Sequence, residues 1–233
     1  MGEATIYSDG SYLRRNPDWH SADSKWKASQ IARMLVRNNL VPSRVCEVGC
    51  GAGEVLIQLA GHLPNSTIFD GYDISPDAYA IASRKSTDRI RFHLADFMTA
   101  GSENFDMGLA IDVFEHVEDY FTFLRNFRTL AQYKIFHIPL ELSALMVVRR
   151  RPLIHQRRAV GHLHHFGKET ALATLADTGY RVVDFFYTSE RTELDGLGWK
   201  TRLLAGPRRA LAALSPDLAA RTLGGYSLLV LAE

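Results

Sequence analysis

From Val45 onward the chain alternates short apolar runs with longer runs whose apolar residues recur every three or four positions. VCEVG (45–49), STIFDGYD (66–73), IRFHLAD (90–96), FDMGLAID (105–112) and YKIFHIPL (133–140) are short enough and rich enough in β-branched and aromatic residues to be strands. EVLIQLAGHL (54–63), PDAYAIASRK (76–85) and VEDYFTFLRNFRTL (117–130) carry helical spacing, and Pro76 suits a first helical turn. KETALATLADTG (168–179) predicts another helix, and RVVDFFYT (181–188) and GYSLLVLA (225–232) predict two final strands. Strands alternating with helices predict a mainly parallel sheet with helices on both faces. Ligands of such sheets bind beyond the C-terminal ends of the strands, near the switch in strand order.

Three stretches break the alternation. Residues 1–40 read as a lid, with an irregular arm over 1–20 rich in Tyr, Trp, Asp and Gly that leads into a helix over SADSKWKASQIARMLVRN (21–38). Ser21 or Asp23 is the expected helix cap, and Trp26, Ile31 and Leu35 share a face that predicts core contacts. The main domain spans 41–233 and contains excursions at 141–166 and 189–223, the second with a helix around PRRALAALSPDLAARTL (207–223). Long excursions in compact domains serve as lids or oligomer contacts, so a homodimer is one expectation.

Composition narrows the class. The 233 residues are 46% hydrophobic and 23% charged, enough for a core and against widespread disorder. A formal net charge of +1 gives no electrostatic case for nucleic acid. No run is apolar enough to span a membrane, and MGEATIYSDG is too polar for a signal peptide. Cys46 and Cys50 are the two cysteines, and they read as reduced residues of a cytoplasmic protein. No zinc spacing completes them, and no metal site is expected.

VCEVGCGAGE (45–54) carries the first chemistry. Glycines at 49, 51 and 53 allow positive φ and close backbone approach where a strand turns into a helix. A dinucleotide fingerprint places its third glycine where Glu54 stands, and a carboxylate there repels a pyrophosphate. Together with Glu47, Glu54 favours a cationic ligand without a polyanionic bridge. Asp73 ends the second strand about 20 residues beyond Gly53, where a carboxylate accepts ribose hydroxyls. Asp96, just past the third strand, is placed to accept from an adenine amine, with Phe97 as a ring contact. IDVFEHV (111–117) follows the fourth strand.

VCEVGCGAGE, GYDISP, LADF and IDVFEHV, in that order, resemble the successive cofactor motifs of class I S-adenosylmethionine-dependent methyltransferases of the small-molecule type. The resemblance covers roughly residues 40–140 and extends to the tail from GHLHHFGKETALATLADTGYRVV to GYSLLVLA. It implies a Rossmann-like seven-stranded mixed sheet flanked by helices, in order 3-2-1-4-5-7-6 with the last strand antiparallel. It implies S-adenosylmethionine as donor and S-adenosylhomocysteine as product. The implied cofactor residues are Glu47 near the ammonium, Gly49, Cys50, Gly51 and Gly53 around the amino-acid end, Asp73 with Ile74 at the ribose, Asp96 with Phe97 at the adenine, and Asp112 with Val113.

Methyl transfer from a sulfonium needs an acceptor lone pair held in line, with a base where the acceptor is a hydroxyl. His116 and His137, at the rim beyond strands four and five, are the candidate bases. His162, His164 and His165 of GHLHHF, Lys27, and Tyr12, Trp19 and His20 of the arm are candidate acceptor or lid residues. Lys27 suits the cofactor carboxylate as a point charge. The arginines at 149, 150, 151, 157 and 158 read as a solvated face or as a site for an anionic acceptor. The expected partner is a small-molecule acceptor methylated on a hydroxyl or carboxylate oxygen of a natural product or sugar. Nitrogen or carbon methylation, a non-catalytic nucleoside binder, and a nicotinamide-dependent oxidoreductase are the alternatives.

Overall fold

A computed structural model describes residues 23–97, 105–189 and 210–233. Arm residues Tyr12, Trp19 and His20 lie outside them, as do Ser21 and 190–209 of the second excursion. Helix α1, Ser24–Arg37, precedes strand β1, Arg44–Val48, and α2, Glu54–Ala60. Then come β2, Ile68–Asp73; α3, Pro76–Ala82, with a 3₁₀ turn at Ser83–Lys85; and β3, Ile90–Leu94. Strand β4, Phe105–Ile111, leads through a 3₁₀ turn at Phe114–His116 to α4, Tyr120–Phe127, and β5, Ala131–Leu140. The chain continues through α5, Ala144–Arg149; α6, Arg151–Ala159; α7, Lys168–Asp177; β6, Val182–Thr188; α8, Pro216–Leu223; and β7, Tyr226–Ala232.

The strands form one seven-stranded sheet in the order β3-β2-β1-β4-β5-β7-β6. β7 runs antiparallel to both β5 and β6, and the remaining pairings are parallel. Strand order reverses between β1 and β4, so the glycine loop after β1 and Asp112 after β4 open onto the same crevice.

Alternation along each strand sorts side chains onto two faces. Cys46 and Val48 of β1, Ala110 of β4, Phe136 and Ile138 of β5, and Leu228 and Val230 of β7 join one core with α4, α7 and α8. Val45, Leu109, Ile135, Leu229 and Leu231 join the other with α1 and α2. By the same parity Glu47 and His137 face the α1 side. Helix α1 seals it with Ala28, Ile31, Met34 and Leu35, all buried. Each of its large apolar side chains contributes about 1.5–3 kcal/mol relative to exposure.

Several elements end earlier than periodicity suggests. α2 stops before Gly61 rather than at Leu63. α4 starts only at Tyr120, where Asp119 accepts from the Thr122 N–H at 3.1 Å. In the second excursion, Ser215 accepts from the Leu218 N–H and Pro216 follows it, so α8 starts afresh after the helical residues 210–214. The first excursion holds α5 and α6, which meet at Arg150 with φ +57°. Its arginines are exposed and none lines the cavity described below, in keeping with a solvated face. Asp23 occupies the cap position of α1, yet its side chain makes no capping bond and pairs with Lys27 instead.

Candidate active site

The glycine loop is built on left-handed backbone, with φ of +69°, +53° and +78° at Gly49, Gly51 and Gly53. A Cβ at Gly53 would sit 2.4 Å from the Phe92 ring of β3, and one at Gly49 would sit 2.9 Å from Val113. The N–H groups of Gly49 and Cys50 donate to the Tyr72 carbonyl at 2.8 and 3.1 Å, stitching the loop to β2. Asp73 accepts from the Gly51 N–H and the Ser75 N–H, each at 2.8 Å. Burial raises the Asp73 pKa, against these two bonds.

A cavity of about 890 Å³ lies over the C-terminal ends of the strands. Gly49, Asp73, Ile74, Asp96 and Phe97 are among its lining residues. Phe97 is held edge-on by Phe123 and Phe127 at 5.4 and 5.9 Å between centroids. Lys27, Asp112, Val113, His116, His137, Glu141 and His162 line the cavity as well. A side recess of about 80 Å³ is lined by Lys27, Glu47, Gly49 and Cys50 among others. Gly51 and Gly53 line neither space. The first spends its N–H on Asp73 and the second packs on Phe92, so both shape the loop.

Glu47 is 2% exposed, and its Oε2 has no hydrogen-bond partner among the described residues. Burial pushes its pKa up to about 8, with the Asp73 charge adding to the rise and Lys27 opposing it. Glu54 differs from expectation: Lys85 holds it at 2.9 Å and Gln58 donates to it, which lowers its pKa. Its charge is therefore already neutralised and does not attract a ligand cation.

Asp112 adopts φ +55° and bridges two elements. Its Oδ1 is 2.6 Å from His137 Nδ1 and its Oδ2 is 2.8 Å from Lys27 Nζ. Burial works against each charge, but the pairing wins: Lys27 is held above the usual lysine range, while His137 and Lys27 hold Asp112 below the usual carboxylate range. Lys27 also pairs with Asp23 at 2.9 Å. His137 has partners on both nitrogens, since Thr188 Oγ1 lies 3.0 Å from Nε2. Trp26, expected in the core, is only half-buried; it lines the cavity with its ring edge-on to His137 at 6.0 Å.

His162 and His165 share the Glu141 carboxylate, while His116 and His164 bond backbone carbonyls. His116 donates from Nδ1 to the Gly161 carbonyl at 3.1 Å, and burial pushes its pKa down to about 4, helped by His162. His162 Nδ1 lies 2.9 Å from Glu141 Oε1, and His165 Nδ1 bonds the other oxygen. His164 donates to the Val117 carbonyl at 3.0 Å, so it and His165 anchor the loop outside the cavity. Glu115 is 1% exposed, and its pKa is raised well above the usual range by burial, Asp112 and Glu141. Sequence reasoning missed Glu115, Glu141 and Thr188. Glu141 had a usable signal, because it is a carboxylate at the C-terminal end of a strand, directly after β5, as Asp73 is the carboxylate that ends β2.

A methyltransferase domain family matches residues 19–184. The chain belongs to this family. No curated protein matches its sequence. Solved structures share the fold. The magnesium protoporphyrin IX methyltransferase of Synechocystis PCC 6803 with bound S-adenosylmethionine superposes with a TM-score of 0.63 at 18% identity, over 100% of this chain and 97% of that one. The N-methyltransferase NodS of Bradyrhizobium japonicum WM9 in complex with S-adenosylhomocysteine gives 0.57 at 17%, over 96% and 98%. The [4+2]-cyclase SpnF gives 0.58 at 17%, over 88% and 80%. A methyltransferase fold thus extends to a protein named for a cyclisation. No helix among the described residues of this methyltransferase-family chain is long and apolar enough to cross a membrane.

Proposed function

We propose that this protein transfers the methyl group of S-adenosylmethionine to an oxygen of a small molecule, a hydroxyl or carboxylate of a natural product or sugar. The observation that carries this reading is Asp73. Its carboxylate ends β2 and faces the same cavity as Gly49 and Asp112. Backbone N–H groups hold it, Gly51 on Oδ2 and Ser75 on Oδ1 with Ile74 contributing as well, and the carboxylate keeps acceptor capacity for a ribose. The recess beside Glu47 and Lys27 suits the zwitterionic end of the donor, the ammonium at Glu47. Asp96 and Phe97 are at the adenine end. Two structural neighbours bound to the donor or its product agree with this cofactor.

The cavity is near the upper end of the roughly 300–1,000 Å³ of single-ligand sites, so donor and acceptor fit side by side. The acceptor oxygen forms the new C–O bond as the methyl–sulfur bond breaks, and S-adenosylhomocysteine leaves as a neutral thioether. A hydroxyl acceptor gives up its proton in the process, to a histidine base such as His116 or to solvent water. His137 is engaged at both nitrogens and serves to position Asp112 and Lys27. His116 lies at the acceptor end with its Nδ1 already donating.

Calorimetric titration with S-adenosylhomocysteine and with NAD tests the cofactor. Binding of the first and not the second is expected. Binding of NAD alone overturns the reading in favour of an oxidoreductase. Asp73→Ala should weaken S-adenosylhomocysteine binding by about 1–3 kcal/mol. Mass spectrometry of methylated products separates oxygen from nitrogen and carbon acceptors.

A further inference from the structure

Behind the acceptor end of the cavity, Glu115, His116 and His162 each offer a donor atom, and these atoms lie within 4.8 Å of one another. Glu115 comes from the 3₁₀ turn after β4, and His162 from the loop before α7. Both Glu115 carboxylate oxygens are buried with no hydrogen-bond partner among the described residues. Leaving a carboxylate in that state costs several kcal/mol unless a cation or a proton meets it. The N–H groups of Leu163 and His164 donate to the Glu115 backbone carbonyl, at 2.9 and 3.1 Å, and not to its side chain.

The histidines are oriented as metal ligands are. His116 Nδ1 donates to a backbone carbonyl, and His162 Nδ1 to the Glu141 carboxylate. A neutral imidazole that donates from Nδ1 carries its lone pair on Nε2. A carboxylate or carbonyl behind a ligating histidine fixes the tautomer and raises ligand basicity. The His116 and His162 rings meet edge-on with centroids 4.8 Å apart, an approach that a shared ion makes favourable for two basic nitrogens.

We propose that Glu115, His116 and His162 bind one divalent first-row transition-metal ion, with Glu141 orienting His162. One carboxylate and two imidazoles suit zinc, iron(II) or cobalt(II) better than magnesium or calcium, which prefer all-oxygen shells. His116 and His162 line the cavity and Glu115 does not, so an ion held by the three would border the cavity. There the ion takes an acceptor oxygen as a further ligand; this last role rests on the methyl-transfer reading, and the ion site does not.

The test is titration of chelator-stripped full-length protein with Co²⁺, followed by visible ligand-field absorption and competition with Zn²⁺. One Co²⁺ per chain, displaced by Zn²⁺, is expected. Glu115→Gln and His162→Gln should each weaken Co²⁺ binding by about 100-fold or more, and Glu141→Gln by about 10–100-fold. Asp73→Ala should lose S-adenosylhomocysteine affinity and keep Co²⁺, so failure of the ion site and failure of the donor reading are told apart. For variants that do not fold, ¹⁵N spectra of labelled histidine in the wild type serve instead: Zn²⁺ should shift the His116 and His162 ring signals and leave those of His62 and His93. Absence of Co²⁺ and Zn²⁺ uptake overturns the proposal, as does uptake of Mg²⁺ alone, unchanged affinity in folded Glu115→Gln and His162→Gln, or ring signals that do not move.

Discussion

Asp112 Oδ1 lies 2.6 Å from His137 Nδ1, linking the residue just past β4 to a ring on the neighbouring strand β5. The sheet register makes the meeting possible, since Ile111 pairs with His137. The other Asp112 oxygen reaches Lys27 on α1, so one carboxylate ties the helix to two strands at the cavity wall.

Removing one member of this set leaves a charge with too few partners. Lys27→Met should destabilise the protein by about 3 kcal/mol in urea unfolding, because Asp112 and Asp23 lose their shared cation. Adding Asp112→Asn should restore about 1 kcal/mol or more of that loss. Equal midpoints for wild type and Lys27→Met would show that the pairing contributes nothing to stability.

Glu47 predicts a pH dependence of the opposite sign to that of a salt-bridged carboxylate. Its folded pKa of about 8 lies above the ordinary value, because burial disfavours the charged form. Between the ordinary carboxylate range and pH 8 the folded state holds a proton that the unfolded state has released. Its contribution to stability therefore falls as pH rises through that window, by a few kcal/mol in all. Glu47→Gln should flatten the profile measured by urea unfolding from about pH 5 to about pH 8.5. A profile with the same slope in both proteins would remove Glu47 as its source.

Gly53→Ala should destabilise by at least about 2 kcal/mol. Two costs add: φ of +78° disfavours any side chain, and the new methyl would lie 2.4 Å from a ring atom of Phe92. Thermal unfolding reads the change directly. A melting temperature equal to that of wild type would mean that loop and ring move apart without cost.

Much of the fold was legible. Alternation along the strands and helical spacing between them are local properties, written in neighbouring residues. The loop glycines and Asp73 were legible for the same reason, because a strand end followed by a sharp turn constrains residue type locally. Element ends were less so. Asp119 and Ser215 start their helices through single side-chain bonds that periodicity does not register.

The site beyond the cofactor loop is another matter. Trp26 fits a core face by spacing, yet its ring lines the cavity and meets His137 edge-on. His137 reads as a free base at a strand end, but Asp112 and Thr188 occupy its two nitrogens. Glu54 reads as an attractor of cations, and Lys85 from the turn after α3 neutralises it.

The sequence by itself determined the alternation of strands and helices, the left-handed glycine turn and the carboxylate at the end of β2, because each depends on residues close together in the chain. Only the tertiary structure decided which charges meet: Lys27 with Asp112, His162 with Glu141, and the Glu115 carboxylate oxygens buried with no hydrogen-bond partner among the described residues. Burial and pairing energies depend on distances in space, and the sheet order and packing of α1 set those distances between segments far apart in sequence.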